Sequence, residues 1–393
     1  MKQFITRRSF IKAAGAATAL TAVSVGAPAA FAEETNCFFG DKADVTILYT
    51  NDVHTYIDNK SPKLTYAAIA AMKQGYVDEG KPVLLVDAGD HIQGTAYGSM
   101  DEGASIIKLM NEAGYDIATL GNHEFDYGMA RAKAVLREAD FPYVSCNWVD
   151  LRTGFNVLPS VKFFFVGGRK IAFVGVTTPE TFTKSTPAYF MNDAQTKYIY
   201  DILGGEDGQK LYDAVQEAID KAEFWGTDTI IGLGHLGVDP SSSPWTSEEV
   251  IAHTHGFTAF IDGHSHTVMT KGEKGEPIQS TGTAFANIGV IVIDNATKKI
   301  ESNSLFEIKE DTAKDATVAA AAKTIVDRVD AEYDVVFAKS EVTLNGAKAP
   351  NGNRDSETNN GNLITDAMIW KVMQNKEGLT VDADHVVAIT NGG

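Results

Sequence analysis

The sequence predicts an α/β protein, and three observations carry that expectation. From residue 43 onward, apolar runs short enough for strands alternate with stretches of helical spacing. A hydrophobic content of 44% over 393 residues suffices for a large core and suggests two or three domains. Five of the apolar runs also end in loops dense in Asp, Asn and His, as expected where the strand ends of an open sheet gather side chains in one place.

The elements follow in order. "VTILYT" (45–50) reads as a buried strand and "KLTYAAIAAMKQGY" (63–76) has helical spacing. "KPVLLVDAGD" (81–90) is a strand running into a loop. "ASIIKLMNEAG" (104–114) is a helix closed by glycine, and "YDIATLGN" (115–122) is again strand and loop. "SVKFFFVGGRKIAFVGVTT" (160–178) reads as a hairpin turning at Gly167-Gly168. A helix at about 208–224 precedes three strands in "DTIIGLGHLG" (228–237), "FTAFIDGHSHT" (257–267) and "ANIGVIVIDN" (286–295). The pattern changes near residue 309. A single long helix over 314–340 suits a connector between domains, a polar loop leads into an amphipathic helix from about Gly361, and "HVVAITNGG" (385–393) is the last expected strand.

The formal charge of −18 disfavours a nucleic-acid polymer as partner, since its backbone is bound by excess Lys and Arg. Small phosphorylated ligands stay open, because a local metal or Arg cluster overrules net charge. "TRRSFIK" (6–12) opens an Ala- and Gly-rich apolar run that closes on Ala30-Phe31-Ala32, a cleavage pattern. The Arg7-Arg8 pair resembles a twin-arginine export signal, so residues 1–32 are expected to be a signal peptide, not a transmembrane anchor. The expected location is periplasmic, extracellular or cell-surface. Its removal takes away Lys2, Arg7, Arg8 and Lys12 and no acid, carrying the charge to about −22. "ETNC" before Cys37 lacks the small and apolar residues of a lipid-attachment box, and export permits a disulfide between Cys37 and Cys146 without requiring one.

The five polar loops are "TNDVHT" (Asp52, His54), "DAGDHIQG" (Asp87, Asp90, His91), "GNHEFDYG" (Asn122, His123, Asp126), "GLGHLG" (His235) and "IDGHSHT" (Asp262, His264, His266). A lone Asp or His after a strand is ordinarily a turn or cap residue. Five such loops in one region are different, because clustered imidazoles need partners and a metal supplies one. His nitrogens with Asp and Asn oxygens, and no thiolate, suit Zn, Mn, Fe or Co. The ligands are too many for one tetrahedral ion and enough for two ions sharing a carboxylate, an arrangement used for displacement at phosphorus. Asp52 and His54 lie two apart on what reads as an extended segment, so both side chains are expected to face the same way, and His264 and His266 repeat the spacing.

In this order, "D-x-H", "G-D", "G-N-H-E-F-D", "G-H" and "G-H-x-H" resemble the calcineurin-like metallophosphoesterases, and "TNDVH", "GNHEFDYG" and "GHSHT" resemble the 5'-nucleotidase family in particular. The resemblance implies a four-layer αββα sandwich over residues 40–308, a helical linker over 309–340 and part of the family's C-terminal substrate-binding domain over 341–393. It implies two divalent metal ions. Asp52, His54 and His266 would hold the first, Asn122, His235 and His264 the second, and Asp90 would bridge them. Asp87 and His91 read as neighbours of the bridge. His123, paired with Asp126, would face the substrate phosphate and stabilise or protonate developing charge. Glu124 and Phe125 receive no role.

"NRDSETNNGNLITDAM" (353–368) resembles the opening of the C-terminal domain, with Glu357, Asn359, Gly361 and Asn362 matching E-x-N-x-G-N. Arg354 matches a substrate-contacting arginine, and Asn391 lies in a run near the nucleoside in relatives. The family continues beyond the position of Gly393, so a partial domain is expected. The resemblance implies an exported hydrolase acting on nucleoside 5'-monophosphates or related nucleotides. A 2',3'-cyclic-nucleotide phosphodiesterase with 3'-nucleotidase activity shares every N-terminal motif. The thiosulfohydrolase of sulfur oxidation shares the fold, with the intact Asp126 favouring phosphate. A non-catalytic nucleotide- or metal-binding protein is the reading from another class.

Overall fold

The computed structural model describes residues 43–57, 65–227, 229–347 and 349–390. The proposed signal peptide, Cys37 and Asn391 lie outside the described residues. No described helix is long and apolar enough to cross a membrane. The chain divides into two compact units, with the boundary after Asp330.

The strands of the first unit are β1 (Val45–Thr50), β2 (Val83–Asp87), β3 (Ile117–Ala118), β4 (Trp148–Asp150), β5 (Phe155–Asn156), β6 (Val161–Val166), β7 (Arg169–Thr177), β8 (Tyr200–Ile202), β9 (Thr229–His235), β10 (Ala259–Ile261), β11 (Val268–Met269), β12 (Ile278–Thr281), β13 (Ile288–Ile293) and β14 (Ile300–Phe306). One sheet has the order β14-β13-β1-β2-β3 and a second the order β11-β12-β10-β9-β7-β6, while β5-β4-β8 form a small third. The main helices are α1 (Thr65–Asp78), α2 (Ala104–Ala113), α3 (Met129–Glu138), α4 (Gln209–Phe224), α5 (Ser247–His253) and α6 (Ala316–Tyr333).

Strand periodicity builds the layers. Val45, Ile47 and Tyr49 of β1 point into a core shared with Ile171 and Phe173 of β7, Ile231 and Leu233 of β9, and Ile291 and Ile293 of β13, so the two large sheets pack face to face. Leu48 points the other way, into a core with Tyr66 and Ile69 of α1 and Ile106, Leu109 and Met110 of α2. Ala172, Val174 and Val176 of β7 likewise meet Leu211, Val215 and Ile219 of α4 on the far face of the second sheet. The result is the four-layer αββα sandwich. Its central strands are buried on both faces, which is why they read as unbroken apolar runs.

The parallel pairs position the site. β1, β2 and β3 run parallel in the first sheet, and β7, β9 and β10 in the second. All five polar loops therefore leave carboxyl ends of parallel strands. The 160–178 hairpin forms as expected, turning at Gly167-Gly168 between β6 and β7.

Two expectations change. The helix over 314–340 stops at Tyr333. Val318, Ala322, Ile325 and Val329 seat it on the first unit's core, whereas Val335, Val336 and Phe337 beyond it are strongly exposed. Two adjacent β-branched residues with no surface to bury them do not sustain a helix. The expected strand at 385–393 is likewise missing over the described residues 386–390. A strand exists by pairing, and no strand of the described part of the second unit offers an edge.

In that second unit α7 (Asn359–Met373) is capped by Thr358, whose hydroxyl accepts from Gly361 N at 3.0 Å. Asn359 ties the preceding loop, donating to Thr343 O at 2.9 Å and accepting from Asn345 N at 2.8 Å. Asn362 donates to Glu357 at 3.0 Å. The helix buries none of its residues; Leu363, Met368 and Trp370 are exposed. Arg354 is exposed within this unit.

Candidate metal centre

Asp52, His54, Asp90, His123, His235, His264 and His266 come from five loops and meet at one place, and Asn122 stands between Gly121 and His123, both of which lie against Asp90. Potential ligand atoms of Asp52, His54 and His266 lie within 4.8 Å of one another, as do those of Asp90, His235 and His264, and of His54, Asp90 and His123. His54 and His266 face each other with Nε2 atoms 3.1 Å apart. Asp90 Oδ2 lies 3.0 Å from His235 Nε2 and 3.9 Å from His54 Nε2, between the two groups. Asp52 Oδ1 is 3.4 Å from His266 Nε2 and 3.7 Å from His235 Nε2.

The convergence has a backbone cause that differs from the extended geometry expected of D-x-H and H-x-H. Asp52, His54, Asp90, His264 and His266 all have left-handed backbones, with φ of 47°, 48°, 58°, 79° and 54°. Side chains other than Gly, Asn and Asp rarely adopt this region, and residues held there concentrate at functional sites. The loops curl over the strand ends instead of continuing them. Close approach also demands glycine: a Cβ on Gly121 would sit 2.1 Å from Asp90 Oδ1, and one on Gly263 would sit 2.7 Å from His235 Nδ1 and 2.8 Å from Asp52 Oδ2.

Three carboxylates outside the implied ligand set hold the loops in place. Glu124 is fully buried and accepts from Gly121 N at 2.6 Å and from Asp90 N and His91 N at 2.8 Å each, locking the loops after β2 and β3 together. Asp262 accepts from Leu236 N at 2.8 Å and Gly237 N at 3.0 Å, fixing the loop after His235. Glu180, after β7, meets His264 Nε2 at 2.7 Å. Asn51 joins the loop after β1 to the end of β12 by accepting from Thr281 N at 2.8 Å. Beneath the site, His91 Nδ1 lies 2.8 Å from Asp87 and its Nε2 2.8 Å from the Tyr143 hydroxyl. Thr50 donates to Asp87 at 2.6 Å. Phe125 is buried core, packed on Trp148 and Phe190.

The tautomers are set by neighbours. His54 Nδ1 donates to Gln93 O at 3.1 Å and His235 Nδ1 to Ala88 O at 2.7 Å, so each ring turns its Nε2 to the cluster. His123 Nδ1 sits 2.5 Å from Asp126 Oδ2, leaving Nε2 for a ligand. His123 N donates to Asp90 Oδ1 at 2.8 Å, and the His123 ring stands 5.2 Å from that of His54.

Electrostatics point to positive charge at the centre. Asp52 and Asp90 are buried, and among the described residues no Lys or Arg pairs with them. Burial alone would raise the Asp90 carboxyl, but the imidazoles of His235, His123 and His54 outweigh it and hold it well below the usual range. Burial alone would lower His235, but the Asp90 and Asp52 carboxylates raise it well above the usual imidazole value. His123 goes the same way, to about 9: burial would lower it, and Asp90 with Asp126 overrules. A divalent cation would serve where these protons otherwise do.

The residues fit such a cation. Asn122 Oδ1 and His235 Nε2 are both buried without a hydrogen-bond partner. His235 Nε2 and Asp90 Oδ2 approach to 3.0 Å, close enough for one cation to sit against both. Orphaned buried polar atoms are costly, and oxygen and imidazole donors of this kind suit divalent transition metals.

The comparisons agree. A family model of calcineurin-like phosphoesterases matches residues 45–268. The chain is 26% identical over 392 residues to a snake venom 5'-nucleotidase of Gloydius brevicauda, covering 89% of this chain and 62% of that protein. It is 28% identical over 405 residues to the trifunctional nucleotide phosphoesterase protein YfkN of Bacillus subtilis, covering 89% of this chain and 24% of the relative. Among solved structures, a 5'-nucleotidase precursor from Thermus thermophilus superposes with a TM-score of 0.64 at 23% identity, covering 85% of this chain and 68% of that one. The chain thus spans about three fifths of the length of the venom relative. The family match runs through every loop that feeds the cluster, from the strand before Asp52 to the residues just past His266, and on that ground the chain belongs to the calcineurin-like phosphoesterases.

Proposed function

We propose that this chain is a dinuclear-metal phosphohydrolase that converts nucleotides, nucleoside 5'-monophosphates or close relatives of them, to nucleoside and phosphate. The observation that carries the reading is the doubled cluster with a His–Asp pair at its rim. Asp52, His54 and His266 would hold one divalent cation and Asn122, His235 and His264 the other, with Asp90 available to both. Bound there, such cations supply Lewis acidity toward a phosphoryl group and an activated water. The protein's own contribution is orientation. Gln93 O and Ala88 O fix the tautomers of His54 and His235, and Glu124 fixes the Asp90 loop. His123, its Nδ1 held by Asp126, offers Nε2 to the phosphoryl oxygens or to the departing alkoxide as a proton donor.

The nucleotide assignment draws on the 5'-nucleotidase relatives. A second reading is a 2',3'-cyclic-nucleotide phosphodiesterase with 3'-nucleotidase activity; the likeness to a trifunctional nucleotide phosphoesterase speaks for more than one activity on nucleotides, without saying which. Arg354, and Asn391 outside the described residues, are the candidate nucleotide contacts. Export by the twin-arginine route to the periplasm or cell surface belongs to the same proposal.

The test is turnover of p-nitrophenyl phosphate, AMP, 3'-AMP and cyclic 2',3'-AMP by the purified chain with Mn or Zn. AMP hydrolysis supports the first reading, and preference for the cyclic substrate or 3'-AMP the second. A chain that binds two ions yet turns over none of the four overturns both, leaving a binding protein.

A further inference from the structure

The imidazoles of the cluster are not all held alike. His54 and His235 donate Nδ1–H to backbone carbonyls, those of Gln93 and Ala88. His264 instead has its Nε2 2.7 Å from Glu180 Oε2. The same carboxylate oxygen accepts the Ser242 hydroxyl at 2.6 Å, and Lys184 stands 3.9 Å from the other oxygen. Glu180 is buried beside a cavity of about 590 Å³ shared with Phe182 and Trp245. It lies in the segment after β7, whose last residue Thr177 pairs in register with His235. The carboxyl end of β7 is thus a sixth strand end feeding the site, through a segment, "TTPE", that carries neither His nor Asp.

We propose that Glu180 is a positioning residue for the second cation: its carboxylate takes the Nε2–H of His264 and holds the ring in the tautomer that leaves Nδ1 for the metal. This role rests on the dinuclear reading above. A carboxylate partner differs from a carbonyl in kind. Its charge strengthens the hydrogen bond and makes the imidazole a better donor to a cation, and losing such a partner typically weakens metal affinity about 10- to 100-fold. Ser242 keeps Glu180 from swinging into the cavity, so Ser242, Glu180 and His264 form a chain ending at the metal. The asymmetry predicts that Glu180 governs one ion and leaves the other alone.

Two measurements decide it. In metal-free protein, side-chain ¹⁵N correlation spectra should show His264 as the Nε2–H tautomer in the wild type and as a mixture in Glu180→Ala. In titrations of Zn²⁺ against a chromophoric chelator, the wild type should bind two ions. Glu180→Ala should bind one of them about 10- to 100-fold more weakly, with the other unchanged. Glu180→Gln keeps an acceptor of the same shape without the charge; it should retain the tautomer and lose part of the affinity. Circular dichroism on both variants guards against misfolding, and Gln carries the test should Ala not fold. A purely structural role would lower stability while leaving tautomer and stoichiometry untouched, and that result overturns the proposal. So does an unchanged pair of affinities in Glu180→Ala beside a wild type that binds two ions. A wild type that binds no divalent ion overturns the dinuclear reading and this role together, whereas the tautomer spectra, taken without metal, judge the Glu180–His264 contact on its own.

Discussion

The two halves of the candidate centre are built to different standards. In the half made by Asn122, His235 and His264, His235 is fully buried and Asn122 nearly so, and both carry orphaned atoms. In the half made by Asp52, His54 and His266, the side chain of His266 is 46% exposed while Asp52 is buried. Asp90 Oδ2 lies 3.0 Å from His235 and 3.9 Å from His54, one in each half. The difference teaches that a cation held by the first half would be enclosed by protein, whereas one held by the second would face solvent.

The strongest way to break this comparison is to remove what the halves share. Asp90→Asn should empty or cripple both positions and lower kcat/KM by about 10⁴-fold, the rate equivalent of roughly 5 kcal/mol; retention of two full-occupancy ions by metal analysis would end the bridging role. Next in size is a change that belongs to neither half. His123→Ala should lower kcat by about 10²- to 10³-fold with both ions retained, and loss of an ion would show that His123 is a ligand after all. The halves themselves separate in a third experiment. His235→Ala should weaken its ion about tenfold more than His266→Ala weakens the other, because removing a buried donor leaves neighbouring groups unpaired whereas water replaces an exposed one. Equal losses in chelator competition would erase the distinction. The smallest effect needs no mutation: chelation of the wild type should lower Tm by about 5 °C, since an ion at a hundred times its Kd adds roughly 2.7 kcal/mol. The drop should come in two steps as the open half empties before the enclosed one.

Much of this was legible in the chain. Strands buried on both faces announce themselves as apolar runs, and β1, β7, β9 and β13 lie where those runs are. The five loops were legible because Asp, Asn and His recur behind strands. The clamps were not. Glu124 acts by accepting backbone N–H groups from residues up to 34 positions away, and Glu180 reaches His264 across 84; neither spacing leaves a local pattern. The left-handed turns at Asp52, His54, Asp90, His264 and His266 escaped because D-x-H and H-x-H are equally compatible with an extended segment, and only tertiary packing selects the curl. The end of α6 and the missing strand at 386–390 escaped because both depend on what lies alongside, which apolar residues alone do not report.

The meeting of His54 and His266 has a consequence in time. The two rings touch across 212 residues of chain. In an unfolded chain, Asp52 with His54 and His264 with His266 are short, mutually distant chelating pairs, able to grasp a metal loosely but not to assemble a centre. Both large sheets must pair and stack before the loops are neighbours, and non-local pairing of this kind is slow. A cation that needs the whole cluster would therefore be captured only after the sandwich has closed, and a loaded centre would certify that closure.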